Sequence, residues 1–156
     1  MRKAVLVIVL VALLALPASA RIGAGLRLGY QSPSFCINLM GDFEITSNID
    51  ITAEFDMIPA GVFVGQFTGN FRYTFDVPSI NPYAGMGVGI GFIGSGSYGG
   101  YYYEGGGAFF ALPFHVGMQI PLGAGFYLDA DVRPVLGIGE GVGFSFGFLA
   151  GIVYFF

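Results

Sequence analysis

The chain of 156 residues is 54% hydrophobic and only 10% charged, with a mean hydropathy of +0.73, whereas soluble domains carry roughly 25% charged residues. Its formal charge of −4 offers no basic surface for nucleic acid. A single cysteine, Cys36, excludes an internal disulfide and a cysteine metal cluster.

Residues 1–20 carry Arg2 and Lys3, an apolar run from Ala4 to Leu16, then Pro17 and the small-residue site Ala18-Ser19-Ala20. This is the pattern of a secretory signal peptide, with cleavage expected before Arg21. A membrane anchor needs ~20 apolar residues, more than this run supplies, and no cysteine follows the site to carry a lipid. Loss of the signal removes two of the six basic residues and none of the ten acidic ones, so the mature chain, 21–156, has four against ten and a charge of −6. Beyond it, Gly, Pro, Asn and Asp interrupt every apolar run before it reaches helix length. A hydrophobic chain without spanning helices crosses a bilayer as a closed barrel.

Eight segments then alternate at period two, each long enough for a tilted strand to cross. The first, 21–31, sets Ile22, Ala24, Leu26, Leu28 and Tyr30 outward, with Arg27 and Gln31 inward; Ser32-Pro33 ends it. In the second, 34–45, Phe35, Ile37, Leu39, Phe43 and Ile45 oppose Asn38, Asp42 and Glu44, and 46–48 is a turn. The third, 48–58, has the cleanest alternation, Ile49, Ile51, Ala53, Phe55 and Met57 against Asp50, Thr52, Glu54 and Asp56. After 59–61 the fourth turns Phe63, Phe67, Phe71, Tyr73 and Phe75 outward and Gln66, Thr68, Asn70, Arg72 and Thr74 inward.

Following the turn 76–82, the fifth segment places Ala84, Met86, Val88, Ile90 and Phe92 outward above a glycine ladder at 85, 87, 89 and 91. Glycine at every second position is a strand pattern and not a phosphate loop; these glycines are expected to make room for side chains of the opposite wall. Residues 94–107 form the longest connection, glycine-rich and carrying Tyr98, Tyr101, Tyr102 and Tyr103. The sixth segment, 108–120, has Phe110, Leu112, Phe114, Val116, Met118 and Ile120 outward and Pro113, His115 and Gln119 inward, with Pro113 expected to impose a bulge or local break. A turn at 121–125 leads to the seventh, where Phe126, Leu128, Ala130 and Val132 oppose Tyr127, Asp129, Asp131 and Arg133. Residues 137–141 join it to the last, 142–156, whose one face is Phe144, Phe146, Phe148, Ala150, Ile152, Tyr154 and Phe156.

Every charge within the segments falls on the inner parity: Arg27, Asp42, Glu44, Asp50, Glu54, Asp56, Arg72, Asp129, Asp131 and Arg133. A soluble barrel would show the reverse, so lipid is the expected outer solvent. The fold expected is all-β, a closed antiparallel up-and-down transmembrane barrel of eight strands, preceded by the cleaved signal. Its interior is just wide enough for side chains to fill. Seven inward acids face three inward arginines, which predicts a packed polar plug in which each arginine serves several carboxylates; a narrow conduit or pocket for cations or small apolar solutes is the alternative.

With an even strand number both ends lie on one side, which makes 46–48, 76–82 and 121–125 periplasmic and 32–33, 59–60, 94–107 and 137–141 extracellular. The passages N-P-Y-A-G-M-G-V-G-I-G at 81–91 and P-L-G-A-G-F-Y-L-D-A-D-V-R-P at 121–134, and the terminal aromatic Phe156, resemble those of small eight-stranded bacterial outer-membrane barrels of the OmpA/OmpX/OmpW type. The resemblance spans 21–156. It implies an outer-membrane location, membrane lipid as the surroundings, recognition of the last strand by the barrel-insertion machinery, and a monomer. It implies no particular activity.

His115 is the only histidine. Lipid A deacylases of this class carry a membrane-facing His with a Ser two residues on, but position 117 here is Gly, position 119 is Gln, and His115 has inner parity. It reads as an interior hydrogen-bonding residue, and one His among carboxylates has no metal-site spacing. Neither catalysis, a cofactor nor a metal is therefore expected. Two roles follow: a non-enzymatic envelope protein, or the conduit named above, with the tyrosines of 94–107 as the candidate contacts for an extracellular partner whose identity the residues do not specify.

Overall fold

The computed structural model describes residues 21–59, 61–98, 101–103 and 106–156; the expected signal peptide, 1–20, lies outside the described residues. Eight long strands close into a barrel: β1 (Arg21–Gln31), β2 (Ser34–Thr46), β3 (Ile49–Pro59), β4 (Phe63–Thr74), β5 (Asn81–Ile93), β8 (Gly107–Gly123), β9 (Phe126–Ile138) and β10 (Val142–Phe155). All neighbours are antiparallel and consecutive around the wall, and β1 pairs with β10 to close it. The connection between β5 and β8 holds two short strands, β6 (Gly96–Tyr98) and β7 (Tyr101–Tyr103), paired with each other outside the barrel. The long loop expected there is thus partly an antiparallel hairpin.

Period two decides the faces, as alternate Cβ atoms point to opposite sides of a strand. Leu26, Leu39, Phe67, Val88, Val116 and Phe148 are exposed on the outside, while Arg27, Asp42, Glu54, Arg72, Asp129 and Arg133 are buried within. No described helix is long and apolar enough to cross a membrane; the apolar exterior is presented by strands, and full closure leaves no unpaired sheet edge in lipid.

Pro113 does not bulge its strand. The β5–β8 register is the same at Met86↔Phe114 and Gly89↔Ala111, and the β8–β9 register the same at Pro113↔Val135 and Val116↔Val132, with pairs missing between. Pro113 and Pro134 fall beside one gap, where neither has an N–H to donate. The register instead shifts between Pro121 and Gly123, and again between Glu44 and Thr46. The expected turn 121–125 shrinks accordingly to Ala124 and Gly125, both at positive φ (51° and 83°), as a two-residue hairpin with the native strand twist requires.

Candidate functional site

The lumen is layered along the barrel axis. At the end that carries β6 and β7, Cys36, Ile58, Val62, Val64 and Leu149 form a buried apolar cluster, with Ile93 and Phe109 packed on it. At the end that holds both strand termini, Met40, Val153 and Phe155 pack with Tyr127. Between these lie the charges.

Arg27, from the middle of β1, reaches three strands. Its guanidinium donates to Glu54 at 2.6 Å, Asp129 at 3.0 Å and Asp131 at 3.3 Å, and its Nε donates to Asn38 Oδ1 at 2.9 Å. Arg133 of β9 donates to Glu54 at 2.6 Å, to both oxygens of Asp56 at 3.0 and 3.1 Å, and to Asp131 at 3.1 Å. Arg72 of β4 pairs with Asp42 and lies 3.7 Å from Asp129 and 4.0 Å from Asp50. The side chains of all three arginines are at most 1% exposed. Buried charges of this kind persist only when each is paired and hydrogen-bonded from several sides.

His115 joins the same group, with its Nδ1 3.0 Å from Asp131 Oδ2. Asp42 Oδ1 and Asp131 Oδ1 accept from no protein donor, and Arg72 Nε likewise has no protein acceptor, so the pairing within the network is incomplete on both sides. Glu44 stands apart from it: it pairs at 3.5 Å with Arg21 at the barrel rim, where both side chains are part-exposed. The sequence reading grouped Glu44 with the interior because parity assigns a face but not a depth.

Ladder register explains how such long side chains fit. Arg27 lies opposite Gly151, Arg72 opposite Gly85 and Arg133 opposite Gly147. A Cβ at Gly151 would meet the Leu26 carbonyl and Arg27 Cα, and one at Gly85 the Phe71 carbonyl and Arg72, whereas one at Gly147 would meet Gln31 and not Arg133. The β5 glycines do not serve the opposite wall, as the sequence reading had them do: Gly85, Gly87 and Gly89 are covered by Arg72, Asn70 and Thr68 of the adjacent β4, and Gly91 by Phe109 of adjacent β8. In a narrow barrel a large inner side chain leans first across its own ladder neighbour, and a glycine there is what lets it lie down.

Two contributors escaped the sequence reading. Tyr83 is 2% exposed; its Oη donates to Asp129 at 3.2 Å, and the Arg72 guanidinium sits 4.6 Å from its ring centroid in a cation–π arrangement. It shares the inner parity of the glycine ladder that follows it, which was the available signal. The apolar cap was missed because hydrophobic residues on the inner parity, such as Ile58 and Val64 near strand ends and Leu149 within β10, look like breaks in alternation. Of the tyrosines at 98 and 101–103, only the backbone lies within the described structure.

No family model matches the chain, and no curated protein matches it by sequence. Solved structures do match the fold. The N-terminal β-barrel domain of OprF from Pseudomonas aeruginosa superposes with a TM-score of 0.71 at 13% identity, covering 88% of this chain and 96% of that one. Neisserial surface protein A superposes at 0.62 with 14% identity, covering 86% and 94%. The outer membrane enzyme PagL gives 0.57 at 14%, covering 85% and 98%. This chain therefore has the closed eight-stranded fold of small outer-membrane barrels, a fold shared by proteins that include an enzyme and hence silent on activity.

Proposed function

We propose that this chain is an integral outer-membrane barrel with a non-enzymatic, structural role in the envelope, and that its lumen conducts neither ions nor solutes. One observation carries the reading: the interior is filled from wall to wall by the Arg27, Arg72 and Arg133 network and closed above it by the Cys36, Ile58, Val62, Val64 and Leu149 cluster. An ion entering from the capped end would have to cross an apolar layer before it met a carboxylate, at a large desolvation cost. The inner glycines of β5, which a conduit needs as free space, lie under Arg72, Asn70, Thr68 and Phe109. His115, 1% exposed and bonded to Asp131 within the lumen, has no access to a lipid substrate.

In this reading residues 1–20 direct export, the last strand ending at Phe156 presents the insertion signal, and the barrel is monomeric in lipid. The hairpin of β6 and β7 is the element placed to meet an extracellular partner through Tyr98, Tyr101, Tyr102 and Tyr103. Planar-bilayer recordings test the central claim. The refolded protein is expected to give no discrete openings; stepwise, cation-selective currents that Asp50→Asn/Glu54→Gln abolishes would overturn it in favour of an ion pathway.

A further inference from the structure

The outer wall is not uniformly bulky. Ladder register aligns Ala24 with Gly41, Gly41 with Ala53 and Ala53 with Gly69, so four small outward residues form one row across β1, β2, β3 and β4. On one side of that row, Leu26, Leu39, Phe55 and Phe67 stand in register as a ridge, and on the other Ile22, Phe43, Ile51 and Phe71. The rings of Phe55 and Phe67 stack with centroids 4.3 Å apart, which stiffens the first ridge. Between the ridges lies a depression of about 730 Å³ whose lining includes Ala24, Gly41, Ala53, Phe55, Phe67 and Gly69. That volume is within the range of about 300–1,000 Å³ typical of small-ligand pockets.

Its occupant follows from where it opens. The depression is continuous with the apolar, lipid-facing exterior and begins four to five residues inside the ends of β2, β3 and β4, within the hydrocarbon layer of a barrel this tall. Water is excluded there, and an empty apolar pocket forfeits dispersion contacts along its whole lining. The row is bounded at its ends by outward Tyr154 and Val88, the ladder neighbours of Ala24 and Gly69. The depression is open and shallow between its two ridges, and the hydrocarbon tails that surround this exterior are flexible chains narrow enough to lie along the row. We propose that this depression seats a hydrocarbon tail of a membrane lipid, held against main chain laid bare by Ala24, Gly41, Ala53 and Gly69, and exchanging more slowly than the tails around the rest of the barrel. The proposal rests on the membrane location but not on the closed lumen.

The full mature barrel, refolded into bilayers of a phosphatidylcholine that carries a photoactivatable diazirine on one acyl chain, provides the test, with adducts mapped by mass spectrometry. Adducts are expected to concentrate on Leu39, Phe55 and Phe67. Gly69→Leu places its side chain in open space, since nothing lies within 4 Å of a Cβ there; it should fold normally, cut those adducts severalfold and leave those on Phe114 and Phe146 unchanged. Ala53→Leu should act likewise. Even labelling around the barrel, or labelling that Gly69→Leu does not alter, overturns the seat while leaving the membrane reading intact. No labelling anywhere overturns both. Efficient crosslinking of Ala53→Cys to a second copy, without lipid adducts at the ridge, gives the depression to a barrel–barrel contact instead.

Discussion

Arg27 and Arg72 cross the lumen where Gly151 and Gly85 stand opposite them, so a glycine and an arginine act here as one unit. Adding bulk at the glycine forces the arginine or the backbone to move; overpacking of this sort costs about 1–3 kcal/mol. Gly151→Leu is expected to lower the urea midpoint of unfolding in detergent micelles, followed by circular dichroism, while Gly143→Ala, at the exposed start of β10 with open space at its Cβ, changes stability little. Deleting the charge is harsher. Arg27→Met strips Glu54, Asp129 and Asp131 of a shared donor, and removal of one partner from a buried ionic group costs about 3–5 kcal/mol. Asp129→Asn added to Arg27→Met should recover part of that loss, because it withdraws one of the abandoned charges; a strictly additive double-mutant cycle would count against the coupling.

At the scale of elements, the apolar cap is assembled from strand segments that are far apart in sequence: Cys36, Ile58 and Val64 near ends of β2, β3 and β4, and Leu149 in the middle of β10. Leu149 is fully buried there, and truncating a buried leucine to alanine costs about 2–5 kcal/mol. Leu149→Ala is therefore expected to destabilise the barrel by that order without creating conductance, since the arginine network below it is untouched. The β6–β7 hairpin presents the opposite case. Among the described residues it pairs only with itself, and an element with no ladder bonds to the wall opens locally at little cost. Protease added to intact cells is expected to cut near Tyr101–Tyr103, and Ser at all three positions should leave barrel yield unchanged. Protection from protease, with lost insertion on substitution, would assign the tyrosines to the interfacial aromatic belt.

For the whole molecule, the governing fact is inversion: charge inside, hydrocarbon outside. The cost of a misplaced charge should then depend on depth. Phe67→Arg, on the stacked ridge well inside β4, is expected to lose about 2–4 kcal/mol of folding stability in lipid, and Val142→Arg, at the first residue of β10, about 0–1 kcal/mol. Equal losses at the two positions would mean that the exterior does not sample a hydrocarbon gradient. The folded barrel should also run faster unboiled than boiled on a denaturing gel, with the fast band lost first in the Phe67 variant.

Strand number, the face of every charged residue and the outer-membrane barrel fold were legible in the residues, because a two-residue period and an excluded set of spanning helices are local properties of a chain. The interior parity that placed Asp42, Glu54 and Asp131 together needed no coordinates. Depth, register and partnership were decided only by closure of the sheet. Parity could not separate Glu44 at the rim from Asp42 in the core, and it could not give Arg27 its carboxylates on β3 and β9, since those meet through the wall's curvature and not through sequence spacing. The same is true of the glycines. Alternation marked Gly85 and Gly151 as inner, but which arginine lies across each one is a matter of ladder register, and register is fixed by eight strands at once.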